Sequence, residues 1–137
     1  MAYWLLKTEA STYSFQDLQR EGRARWDGVA NPQALANLRS MRPGDQALVY
    51  HTGGERAAVG VAEVTRAAYP DPAEKDARLV VVDLRALAPL SRPVPLESLK
   101  SQVAFAGSPL LKQGRLSVVP LTQAQWQAVE RLARGDT

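Results

Sequence analysis

The run from Leu79 to Leu87, LVVVDLRAL, constrains the fold more than any other stretch. It is nearly all leucine or β-branched, the pattern of a strand buried in a sheet. Four further runs supply partners for it. The first, AYWLLKT, is aromatic and apolar. Gln46 to His51 and Ala57 to Thr65 are joined by Thr52-Gly53-Gly54-Glu55 and read as a hairpin, with glycine supplying positive φ. Leu116 to Val119 is the last.

Helices fill the gaps. Ser14-Phe15-Gln16-Asp17 forms a capping box and starts a short helix that runs to about Glu21 and stops at Gly22. Asn31-Pro32 starts another, with asparagine as N-cap and proline at the first helical position, where its missing N–H costs nothing. Arg42-Pro43-Gly44-Asp45 ends it. Val94 to Lys100 forms a short helix. Thr122 to Ala133 forms the last, capped by Thr122 and Gln125, with Trp126, Val129 and Leu132 on one face. Between Gly22 and Asn31 lies RARWDGVA, read as a loop, and Tyr69-Pro70-Asp71-Pro72 opens a second loop. Five strands, short turns and terminal helices give an α+β domain around a small barrel, one unit over residues 1–137.

Composition narrows the chemistry. The chain has no cysteine and one histidine, so thiolate nucleophiles are excluded and neither a zinc site nor any other metal or cofactor is expected. His51 beside a serine or threonine is the one route to a catalytic base, but no nucleophile elbow accompanies it. A hydrogen-bonding histidine at a strand end is the competing reading. The acidic residues are scattered, without an evident acid–base pair. The N-terminus lacks a basic leader followed by an apolar run, no run is long enough to cross a membrane, and the expected location is cytoplasmic. A net charge of +3 permits an anionic partner without requiring one.

The tryptophans separate by context. Trp126 shares a helical face with aliphatic residues and belongs to the core. Trp4 sits on a strand, where core and surface are equally open. Trp26 stands outside any periodic pattern, beside Asp27 and Gly28 and close to Arg23 and Arg25. Spacing alone leaves it either a plug for the core or a platform for a flat ligand.

Five blocks in order, YWLLKTEAS at 3–11, RWDGVANPQA at 25–34, ALVYHT at 47–52, GVAEVTRAAYPDP at 60–72 and QGRLSVVPLT at 113–122, resemble the motifs of the EVE domain family, of the PUA-like superfold. The chain is similar in this to the thymocyte nuclear proteins. The family loop reads WDGVRN; here Ala30 replaces the arginine, and Pro32 stands where an aromatic is common. On the first strand Thr8 and Ala10 replace a serine and a proline. The family is also similar to YTH domains, which hold N6-methyladenine in an aromatic cage. Lys7-Thr8, Trp26 and Gly60-Val61-Ala62-Glu63 match shared blocks.

The resemblance implies a PUA-like barrel of five or six strands with flanking helices. It also implies a non-enzymatic module that reads a modified nucleobase, with modified cytosine in DNA ahead of RNA. An RNA-binding module and a nucleotide enzyme using His51 are the alternatives. Trp26 becomes the stacking platform. Thr8 and Asn31 read the base edge, and Tyr69 is the second cage aromatic. Trp4, Lys7, Val29, Tyr50, His51 and Ser117 complete the base site, while Lys7, Arg23 and Arg25 hold phosphates. Asn31 has helix capping as a sufficient role of its own. The protein is expected to act as a monomer.

Overall fold

In a computed structural model, the described residues are 1–135; the last two of the expected domain lie outside them. These residues form one mixed sheet of six strands with five α-helices and a 3-10 turn at Val103–Phe105. The strands are β1 (Tyr3–Glu9), β2 (Arg23–Trp26), β3 (Gln46–Thr52), β4 (Ala57–Pro70), β5 (Val80–Pro95) and β6 (Val118–Leu121). The helices are α1 (Phe15–Glu21), α2 (Pro32–Ser40), α3 (Leu96–Lys100), α4 (Pro109–Lys112) and α5 (Gln123–Ala133). The α+β class is as expected.

The strand order is β2-β5-β4-β3-β1-β6. β1 runs parallel to β3, the other pairings are antiparallel, and the ladder has two ends, β2 and β6. β4 and β5 are long, and their register shifts at four places. Such irregularities bend a strand and increase its twist, so a long hairpin can curl around a core.

Local chemistry forms the helix starts as the sequence predicts. Both capping boxes close, at Ser14/Asp17 and at Thr122/Gln125. The Asn31 side chain accepts from Ala34 N–H at 3.0 Å, with Pro32 opening α2. Gly22 ends α1 at φ 79°. Trp126 is core: it is buried, and its ring stacks on Tyr3 with centroids 4.5 Å apart.

Two expected loops are strand instead. RARW is β2, paired with β5 from Arg23 opposite Arg85 to Trp26 opposite Val82. Tyr69 and Pro70 remain within β4, opposite Val81 and Val80. In both cases the partner strand decides: β5 runs for 16 residues and offers an edge along its length. Pro70 is tolerated because it closes its strand.

Candidate functional site

The two ends of the ladder leave a seam, and a cavity lies along it. β2 walls one side. The end of β1 and Ser117, just before β6, wall the other. The cavity encloses about 700 Å³, a volume within the range of small-molecule and cofactor sites.

β2 is built to present different groups to each side. Ala86 N–H donates to the Gly22 carbonyl at 3.0 Å. Antiparallel alternation then turns the backbone N–H and C=O of Ala24 and Trp26 toward β5, and those of Arg23 and Arg25 toward the open edge. The side chains alternate as well: Arg23 and Arg25 are exposed, while Trp26 points inward. Past Trp26 the chain turns at Gly28, where φ is 78°, and Val29 closes the wall.

Trp26 borders the cavity, yet its residue is only 6% exposed and belongs to the core cluster. It is plug and wall together: it lines the cavity, as a platform must, while most of the residue is packed in the core. Its partner at the cavity is Tyr13. The two rings lie 6.2 Å apart at 79°, forming an aromatic corner. Tyr13 is held from both ends. Thr8 Oγ1 donates to its carbonyl at 2.7 Å, and its own hydroxyl donates to the Glu21 carboxylate. Burial and that carboxylate push the Tyr13 phenol well above its ordinary pKa, so it stays a neutral donor.

Seven of the expected residues meet here: Lys7, Thr8, Arg23, Arg25, Trp26, Val29 and Ser117. Lys7 Nζ donates to the Gly114 carbonyl at 2.9 Å, and burial lowers its pKa. The rim is formally balanced, with Lys7, Arg23 and Arg25 against Glu9, Glu21 and Asp27.

Five expected residues stand elsewhere, each for an evident reason. The Trp4 indole N–H donates to the buried Asp45 carboxylate at 3.1 Å, which fixes it in the core. Asn31 is occupied as the cap of α2 and does not line the cavity. Tyr50 faces a second, smaller cavity. His51 is buried with both ring nitrogens engaged: Nε2 accepts from Phe15 N–H at 3.0 Å and Nδ1 lies 2.7 Å from Glu55 Oε1. That arrangement makes the imidazole a neutral Nδ1–H tautomer and leaves it no lone pair for a substrate. Tyr69 is drawn away by Asp83, to which its hydroxyl donates at 2.5 Å, and by the Arg66 guanidinium 3.7 Å above its ring. The aromatic that stands beside Trp26 at the cavity is Tyr13, which sequence reasoning missed. Its only signal was an aromatic in a polar loop, the same signal that singled out Trp26.

Comparison with known proteins bears on the family and the fold. Residues 2–132 match the family model described as EVE domain. The chain belongs to the EVE domain family. Thymocyte nuclear protein 1 of Mus musculus is 33% identical to this EVE chain, over 93% of it and 71% of the relative. A crystal structure from Agrobacterium tumefaciens is 34% identical with a TM-score of 0.93, covering 97% of this chain and 93% of that one. The crystal structure of human THYN1 protein in complex with 5-methylcytosine containing DNA is 29% identical with a TM-score of 0.88, and the match covers 100% of both chains. The PUA-like EVE fold is thus shared along the whole length.

Proposed function

We propose that this EVE domain is a non-enzymatic nucleic-acid-binding module that holds a modified cytosine of DNA in the seam cavity. The observation that carries the proposal is the Trp26–Tyr13 corner set in a formally neutral cavity with Lys7, Arg23 and Arg25 at its rim. A flipped base is flat, uncharged and weakly polar, and suits such a corner. The phosphates beside it suit the cations. The likeness to human THYN1 in complex with 5-methylcytosine containing DNA supports the same ligand class.

Two terms set the energetics. Aromatic contact with an extruded base contributes about 1–3 kcal/mol. Burying one added methyl group contributes about 0.8 kcal/mol, a preference of roughly fourfold. Discrimination beyond that comes from polar groups that a wrong base would leave unpaired. The outward N–H and C=O of Arg23 and Arg25 supply a donor and an acceptor on the open edge, a role expected, from the sequence, of Thr8 and Asn31. The enzyme alternative loses its base, because His51 has no free nitrogen.

The test is a fluorescence anisotropy titration with duplexes that differ only by 5-methylation of one cytosine. The expected result is tighter binding of the methylated duplex, with affinity for both falling steeply as salt rises. Equal affinity for the two at every salt concentration contradicts the proposal.

A further inference from the structure

A second cavity of about 280 Å³ adjoins the first, and Lys7 borders both. Their charges differ. The seam cavity balances three cationic against three acidic side chains, whereas the second is bordered by Lys7 and Arg56 and, among the described residues, by no acid. We propose that this second cavity seats a backbone phosphate of the nucleic acid whose modified base occupies the first; the identity of the polymer rests on the function proposed above, while the phosphate site rests on the cavity itself.

Arg56 carries the argument. Among the described residues it is the one non-glycine with positive φ, at 47°. Few side chains are held in that conformation without a surrounding that imposes it, and such positions gather at ligand sites. Here the Arg56 carbonyl accepts from Leu96 N–H at 2.9 Å, which ties the hairpin to the start of α3. Its guanidinium nevertheless has no hydrogen-bond or ion-pair partner among the described residues. Arg56 is exposed at the border of the cavity, and an unpaired cation there can be matched by an anion from outside. A phosphate fits best, since a guanidinium donates to two of its oxygens at once.

The other walls complete the match. Tyr50 brings a phenol under the influence of the Arg56 charge. Lys7 stands 5.9 Å from the Tyr50 ring centroid, with its Nζ anchored on Gly114. Leu96 and Leu110 give an apolar side against which a sugar can rest. An extruded nucleotide brings its own flanking phosphates, and the shared Lys7 puts the two cavities within one nucleotide's reach.

Arg56 borders only the second cavity, so its variants separate the two roles, which Lys7 variants cannot. Arg56→Asn removes the charge with a residue that favours the left-handed conformation, and Arg56→Gln removes it with a long side chain. Both are compared with the native chain and with Arg56→Lys, using methylated and unmethylated duplexes across a salt series, after thermal melts establish folding. The expected result is that both neutral variants weaken binding to the two duplexes by the same factor and lower the slope of log K against log salt by about 0.9, the contribution of one phosphate. Arg56→Lys keeps the slope. A neutral methylphosphonate at one position beside the methylated base then weakens the native chain and leaves Arg56→Asn unaffected.

Unchanged affinity and slope in both neutral variants overturns the proposal. So does an equal methylphosphonate loss, at every position, in native chain and variant. If the native chain shows no methyl preference, the base reading fails, and the salt slopes still decide the phosphate site.

Discussion

Replacing Trp26 by alanine tests how a wall of the cavity can also be core. Trp26 and Trp126 are equally buried, at 6% and 5% exposed, so burial alone predicts equal losses. For a buried tryptophan truncated to alanine the expected cost is about 3–5 kcal/mol. The sites differ in what surrounds the space left behind. Trp126 borders neither cavity described above, and the stack on Tyr3 is lost as well, worth about 0.5–1.5 kcal/mol by itself. At Trp26 the void opens into the seam cavity and fills with water, so the cavity part of the penalty is largely relieved.

We therefore expect roughly 3 kcal/mol for Trp26→Ala and roughly 4–5 kcal/mol for Trp126→Ala. For a domain of this size the smaller figure lowers the melting temperature by roughly 10 °C. Urea unfolding followed by circular dichroism gives both values without relying on tryptophan emission. The binding arm separates the two residues further. Below its melting temperature, Trp26→Ala should lose the base contact, about 1–3 kcal/mol, whereas folded Trp126→Ala should bind as the native chain does. A Trp26→Ala cost under about 1 kcal/mol would show that the ring is not packed as described. Native affinity in folded Trp26→Ala would remove it from the ligand site.

Two further perturbations probe the frame that holds the seam. Gly60→Ala would place a Cβ 2.4–2.5 Å from three atoms of the fully buried Phe15 ring, and overpacking of this kind costs about 1–3 kcal/mol or more; a neutral result in thermal melts would mean that the ring moves aside freely. Asp45 is buried, which disfavours its charge, but the N–H groups of Ala2 and Arg42 and the Trp4 indole outweigh burial and hold its pKa below the ordinary value. A carboxyl depressed on folding stabilises above the ordinary aspartate pKa, and that contribution is lost as pH falls through the lowered value. Asp45→Asn should therefore be less stable at neutral pH by about 1–3 kcal/mol and show a flatter acid limb, and parallel stability–pH curves for the two proteins would refute the assignment.

What was legible in the sequence was local. Capping residues and helix-ending turns act within a few positions, so Ser14/Asp17, Asn31-Pro32, Gly22 and Thr122/Gln125 were readable and stand as expected. β2 was not. Four residues make a strand only because β5 is long enough to pair with them, and that partner is some sixty residues away. The site divides along the same line. The Lys7-Thr8 and Trp26 motifs fall at the cavity because each is carried by a strand end. Trp4 was indistinguishable in type from Trp26, and what decides its fate is Asp45, hidden in a turn. Tyr13 reaches the corner only because its loop folds back on Thr8 and Glu9. Tyr69 is diverted by Asp83 and Arg66, partners set by register and stacking rather than by spacing.

On the function proposed above, a modified cytosine enters the corner between Trp26 and Tyr13. The direct measurement is an isotope-filtered nuclear Overhauser experiment on the complex with a duplex carrying one 13C-methyl-labelled 5-methylcytosine. Cross-peaks are expected from that methyl to the indole protons of Trp26 and the ring protons of Tyr13, and none to Tyr69. Cross-peaks to other residues, with none to Trp26 or Tyr13, would contradict this placement.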